Sequence, residues 1–169
     1  MTTFKIMLLG EIGVGKSSLV RRLVHDEFDY DYKPTLGVDI YRYEAPPQAP
    51  GETPTTLLIW DTDGNFSETI FRHVYMRQAH AALIISDATR PATLETMATL
   101  SHGFRDAFPG RHHSLIINKL DLIKEEEKPQ LPSSLADNPP PFMHTSAKNG
   151  HNVKTAFHDA ATSIRRRED

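Results

Sequence analysis

Short apolar runs of strand length alternate with stretches of helical periodicity along this chain. Residues 4–9 (FKIMLL), 57–60 (LLIW), 82–86 (ALIIS) and 115–117 (LII) are apolar with little polar alternation. That suits strands covered on both faces, as in a parallel sheet. Residues 40–44 (IYRYE) alternate and predict an edge strand, and residues 142–145 supply a weak sixth strand. Leu19, Val20, Leu23 and Val24 form one helical stripe. Leu94, Met97, Ser101, Phe104 and Phe108 form a second, and Val153, Ala156, Phe157, Ala160, Ala161 and Ile164 the cleanest. Strands alternating with helices predict an α/β fold built from right-handed βαβ units.

Prolines mark the loops. Pro46, Pro47, Pro50 and Pro54 crowd one connection, read as a loose hairpin between strands. Pro129, Pro132 and Pro139, Pro140 and Pro141 crowd another. Neither side of either stretch has a complete core alone, so residues 1–169 read as a single domain.

Composition narrows the class. A chain of 169 residues is long enough to hide roughly 70% of its unfolded surface. Nineteen Lys+Arg against twenty-two Asp+Glu give a net charge of −3, which offers no basic footprint for nucleic acid. The absence of cysteine removes disulfides, thiolate zinc sites, a thiol nucleophile and prenylation. Thr2 stands where myristoylation needs glycine. No apolar run reaches ~18 residues and no signal peptide opens the chain, so the expectation is a soluble cytoplasmic domain.

The first motif with chemistry is Gly10-Glu11-Ile12-Gly13-Val14-Gly15-Lys16-Ser17, which fits G-x-x-x-x-G-K-[ST]. It follows the first strand and precedes the first helical stripe, the context that marks a phosphate-binding loop. Glycines let backbone N–H groups of Gly13, Val14 and Gly15 face phosphate oxygens, and the helix start adds its dipole. Lys16 reaches the terminal phosphates and Ser17 offers a hydroxyl to Mg²⁺. An ordinary glycine-rich turn is the bland alternative, and the full spacing in context argues against it. This motif alone says nucleoside triphosphate without choosing the base.

Asn118-Lys119-Leu120-Asp121 follows the fifth strand. The Asp121 carboxylate can accept from guanine N1–H and its exocyclic amine, a donor pair adenine lacks. Ser146-Ala147-Lys148, after the last strand, would place a backbone N–H near guanine O6. Asp61-Thr62-Asp63-Gly64 ends the third strand: Asp61 would hold Mg²⁺ and the Gly64 N–H would bind a γ-phosphate. Thr35 can add a second hydroxyl to Mg²⁺. Ligands of such sheets sit at the carboxyl ends of the strands, where most of these motifs fall.

Together these residues resemble the Ras superfamily of small GTPases, most closely the Rab branch, over nearly the whole chain. The Rab-like stretches are residues 35–39 (TLGVD), 60–62 (WDT) and 75–80 (YMRQAH). The resemblance implies a three-layer P-loop G domain, with a six-stranded, mostly parallel sheet flanked by about five helices. It implies GTP or GDP with Mg²⁺, a role in vesicle trafficking, and switch segments near residues 29–38 and 63–75 that present effectors, exchange factors and activating proteins with different surfaces. By the same likeness Glu11 and Ser18 join the nucleotide contacts, Phe28 and the stem of Lys119 pack on the guanine, and Tyr32 lies over the phosphates. Lys16, Thr35, Gly64 and Asn65 would carry the hydrolysis, and the protein would act as a monomer.

The chain departs from that family around the γ-phosphate. Asn65 replaces the usual water-orienting Gln and is one methylene shorter. Ile12 stands where the family has a small residue, in the space of the water and of an activator's arginine. Asp63 replaces Ala and adds a carboxylate near the phosphate. These changes predict slow hydrolysis and weak arginine-finger stimulation; compensation by a shifted backbone is the competing reading. A non-hydrolysing pseudo-GTPase and, remotely, a P-loop kinase remain rivals.

The chain ends in Arg165-Arg166-Arg167-Glu168-Asp169 without the cysteine-bearing tail usual for Rab proteins. Either it works without its own lipid, recruited to membranes by a partner, or a tail lies beyond it. The arginines read as neighbours of a helix C-terminus. His102, His112 and His113 read as surface histidines, and Glu125 to Glu127 as a solvated turn or helix start. Trp60 with Tyr75 and Tyr41 or Tyr43 reads either as an aromatic partner surface or as packing.

Overall fold

The computed structural model describes residues 2–29, 38–62 and 77–168. Its strands are β1 (Thr2–Leu9), β2 (Val38–Ala45), β3 (Thr55–Thr62), β4 (Ala81–Asp87), β5 (His112–Asn118) and β6 (Phe142–His144). They form one sheet in the order β2-β3-β1-β4-β5-β6, parallel throughout except for β2 against β3. The α-helices among the described residues are α1 (Lys16–His25), α2 (Pro91–Ala107) and α3 (Val153–Glu168).

The central strands read as unbroken apolar runs because both of their faces are buried. Phe4, Ile6 and Leu8 of β1 pack in a core with Leu19, Val20 and Leu23 of α1 and Phe157, Ala160 and Ile164 of α3. Met7 and Leu9 point the other way, into a core with Leu94, Met97 and Phe104 of α2. The period-2 alternation of a strand thus assigns α1 and α3 to one face and α2 to the other.

The β5–β6 connection holds three single-turn 3-10 helices, Leu120–Leu122, Glu125–Glu127 and Ser133–Leu135. Its prolines lack the N–H donors that a longer helix would need. Ile123, Leu131 and Leu135 nevertheless pack on the α2-side core, so this irregular segment covers the face that a helix would otherwise cover.

The proline-rich hairpin 46–54 is better tied down than its composition suggests. Glu52 Oε2 accepts the backbone N–H groups of Gln48 and Ala49 at 3.0 and 3.2 Å. Arg165 then donates to the Thr53 carbonyl at 2.5 Å and pairs with Glu52 at 3.4 Å. One of the three terminal arginines is therefore a tertiary clasp and not only a neighbour of the helix end.

One expectation is corrected, and one open choice is decided. His112 and His113 are not surface residues: each is only 7% exposed. His113 Nε2 lies 2.8 Å from Ser101 Oγ, which supplies the hydrogen-bond partner that lets an imidazole be buried. Trp60 and the tyrosines of β2 do not share a face. Tyr41 pairs with Ile59 and Tyr43 with Leu57, and both tyrosines pack on the α1 and α3 side. Trp60 packs on the α2 side, with Lys5 Nζ 3.7 Å from its ring centroid. Tyr75 lies outside the described residues.

Burial holds both histidines neutral, with pKa values lowered from 6.5 to about 4. Their folded pKa lies below the unfolded one, so their contribution is complete above pH 6.5 and is lost as pH falls toward 4. Each should cost roughly 2–3 kcal/mol over that range. Urea unfolding of His113→Phe should show about 1 kcal/mol less stability at pH 7, because Ser101 loses its partner, and a smaller fall than wild type at pH 4.5.

Candidate functional site

The polar residues singled out in the sequence collect at the carboxyl ends of β1, β3, β5 and β6. The loop after β1 is shaped by glycine where nothing else fits. A Cβ on Gly10 would lie 2.3 Å from the Ile85 carbonyl oxygen, and one on Gly15 2.3 Å from Asn118 Nδ2. Gly15 has φ +104 and caps α1 without a side-chain hydrogen bond, and the first turn of α1 carries no acidic residue. The helix N-terminus is thereby left open to an anion.

Lys16 is buried and donates to the carbonyls of Gly10 and Glu11 at 2.7 and 3.0 Å. Ser17 Oγ donates to Asp61 Oδ2 at 2.5 Å, which brings the end of β3 to the start of α1. A hydroxyl and a carboxylate at one point are hard oxygen donors, the set that suits Mg²⁺. Thr62 Oγ1 fixes that strand end by donating to the Leu8 carbonyl at 2.6 Å.

Asn118 joins the pieces. Its Nδ2 donates to the Val14 carbonyl at 3.0 Å. Its Oδ1 accepts from Thr145 Oγ1 at 2.9 Å and from the Ala147 N–H at 3.2 Å. Ser146 Oγ donates to Asp121 Oδ1 at 2.7 Å, which orients the carboxylate assigned above to guanine. Lys148 and Ala147 are held by Arg22, whose Nε donates to the Ala147 carbonyl at 2.8 Å and whose Nη2 donates to the Lys148 carbonyl. Phe28 is half-buried against the α1-side core. Lys119 has φ +68, and its ammonium lies 2.9 Å from Asp87 Oδ2.

Sequence reasoning missed Asp87, Arg22 and Thr145. Asp87 is 1% exposed. Burial alone would raise its carboxyl, but hydrogen bonds from Thr89, Lys119 and Arg90 outweigh that and hold it below the usual range. A signal was present: Asp87 ends an apolar run, as Asp61 and Asn118 do. Tyr32, Thr35, Asp63, Gly64 and Asn65 lie outside the described residues. So do most of both expected switch segments.

This sheet order with a phosphate-binding loop after β1 defines a P-loop nucleotide-binding protein. The Ras family profile matches residues 5–166. The chain is 36% identical to the GTP-binding protein ypt5 of Schizosaccharomyces pombe, over 90% of this chain and 74% of that protein. It is 35% identical to the Ras-related protein Rab-17 of Homo sapiens, over 98% of this chain and 78% of that one. It is 32% identical to the Ypt/Rab-type GTPase YPT7 of Saccharomyces cerevisiae, over 94% and 80%. The chain belongs to the Ras family of small GTPases, and the relatives named here are Rab and Ypt proteins. Among the described residues no helix is long and apolar enough to cross a membrane, and no group of three or more His, Asp or Glu is placed to hold a metal.

Replacing Asn118 by Ala would leave three buried groups without their partner, at about 1–3 kcal/mol each. Asn118→Ala should therefore lose at least about 100-fold in GDP affinity and unfold at lower urea, read by competition binding and circular dichroism.

Proposed function

We propose that this chain is a guanine-nucleotide switch that hydrolyses GTP to GDP and phosphate slowly. The observation that supports it best is the Asn118 amide, which ties the phosphate loop, the N-K-x-D motif and the residues 145–147 into one unit. In this reading residues 1–169 are one G domain that works as a monomer, and the two switch segments present its nucleotide state to effectors and exchange factors.

The parts take these roles. The backbone N–H groups from Gly13 to Ser18 hold the phosphates, with Lys16 as the fixed cation. Asp121, Ala147 and the stem of Lys119 select guanine, with Phe28 against the base. Ser17 and Asp61, joined by Thr35, would hold Mg²⁺, which neutralises charge on the β- and γ-phosphates when bound. Water attacks the γ-phosphorus, the bond to the β-phosphate oxygen breaks, and GDP leaves. Thr35, Gly64 and Asn65 orient the water and the γ-phosphate in this scheme.

Slowness rests on Ile12 and Asn65. The Ile12 side chain is 44% exposed on the outer turn of the loop, where glycine would leave room. A partner's arginine finger gains about 10³–10⁵-fold in such enzymes, and a branched side chain in its path forfeits that gain.

The double variant Ile12→Gly with Asn65→Gln should hydrolyse bound GTP at least about 10-fold faster than wild type in single turnover. Equal rates would sink the assignment of slowness to these residues. No GDP from wild type over hours at saturating GTP would favour the non-hydrolysing reading. Binding ATP in preference to GTP would overturn the guanine site itself.

A further inference from the structure

Ile12 and Gly13 form a turn of the phosphate loop, and Ile12 is held from outside it. Arg90, the residue before α2, donates from Nη2 to the Ile12 carbonyl at 2.9 Å. The same guanidinium donates from Nε to Asp87 Oδ2 at 3.1 Å. Lys119 reaches that same carboxylate oxygen at 2.9 Å, and the other oxygen accepts from Thr89 N–H and Oγ1 at 2.8 and 2.6 Å. One buried carboxylate thus fixes a cation of the base motif and a cation that reaches the phosphate loop.

The backbone that carries Arg90 is fixed as well. Thr93, itself buried, donates to the Arg90 carbonyl at 2.7 Å and accepts the Asp87 N–H at 2.9 Å. Pro91 sets the first turn of α2. Four residues past Ala92, Thr96 Oγ1 donates to Glu11 Oε1 at 2.6 Å, so α2 grips the loop at two successive residues.

A trans peptide is planar, with its C=O and N–H pointing in opposite directions. The carbonyl of Ile12 and the N–H of Gly13 belong to one such peptide. Lys16 draws the carbonyls of Gly10 and Glu11 to itself, while Arg90 draws the Ile12 carbonyl toward α2.

We infer that Arg90 is a positioning residue for phosphate binding: by holding the Ile12 carbonyl against α2 it turns the Gly13 N–H toward the β-phosphate, and through Asp87 it couples that peptide to Lys119 of the base motif. The inference rests on the guanine-nucleotide reading of the site. An arginine is required because its fork meets Asp87 and Ile12 through two different nitrogens. A lysine ammonium carries its donors on one nitrogen and lacks the planar fork that meets the two acceptors from separate nitrogens. The clamp also bears on Ile12 itself, since it fixes the direction in which that residue leaves the loop.

Competition of GDP and of GMP against fluorescent GDP, with Mg²⁺ present, tests this on the whole chain. Arg90→Gln should lower GDP affinity about 10-fold, the loss of one charge-assisted hydrogen bond, and leave GMP affinity unchanged, because GMP lacks the β-phosphate. Arg90→Lys should show the same loss of GDP selectivity over GMP, and it carries the test if Arg90→Gln does not fold. Unchanged GDP affinity, equal losses for GDP and GMP, or wild-type behaviour of Arg90→Lys would each overturn the clamp. A general weakening of the fold would lower both affinities and leave their ratio where it was. Wild-type chain that binds no guanine nucleotide would overturn the reading of the site, and is told apart by failing before any variant is compared.

Discussion

The site depends on one buried amide. Asn118 is 1% exposed, and its single side chain makes three hydrogen bonds that reach two different stretches of chain, the phosphate loop and residues 145–147. A buried amide carries two N–H donors and two lone pairs, so most of its capacity is already spent on holding loops together. This also explains the glycine at position 15. A Cβ there would collide with Asn118 Nδ2, so the close approach of loop and amide requires a residue with no side chain. The phosphate loop and the base motif are therefore not two independent sites on one sheet. Each is shaped by the other.

A second layer of coupling runs through Asp87. Its carboxylate is buried, but hydrogen bonds and two cations keep it ionised, so it acts as a fixed negative charge under the loops. Asp61 plays the matching part on the β3 side, through Ser17. A chain of net charge −3 thus gathers buried acids at the carboxyl ends of its strands, and each acid holds a cation or a hydroxyl in place. The cationic character needed to bind phosphate is local and does not appear in the overall composition.

Much of this was legible in the sequence because it is local. The strands, the three helical stripes and the P-loop are patterns of adjacent or near-adjacent residues, and the structure places them where the patterns do. The N-K-x-D motif was legible as a motif, but the contact that gives its asparagine a role reaches Val14, which lies 104 positions away. Arg90 to Ile12 and Thr96 to Glu11 span 78 and 85 positions, and no spacing announces such pairs. His112 and His113 were misread because polarity was taken as exposure. The partner that buries His113 is Ser101, a residue counted in the α2 stripe as packing alone. Of the two readings of Trp60, the structure supports packing, and antiparallel register shows why: Trp60 lies opposite Ile40, one residue out of step with the tyrosines.

The two ends of the sheet carry different burdens. The carboxyl end holds Asp61, Asp87 and Asn118, buried charged or amide groups that fix the loops of the proposed site. The amino end of β5 holds His112 and His113, which are neutral and buried, His113 with Ser101 as its partner. Acid therefore acts unequally on the molecule. Asp87 is held below the ordinary carboxylate range, so the link between loop and base motif persists while the histidines begin to demand protons. His112 lines the groove between β5, β6 and α3, close to the irregular proline-bearing connection, while His113 faces α2. Loss of stability on acidification should thus begin at the end of the sheet farther from the phosphate loop, and the link through Asp87, held below the ordinary carboxylate range, is insulated from it.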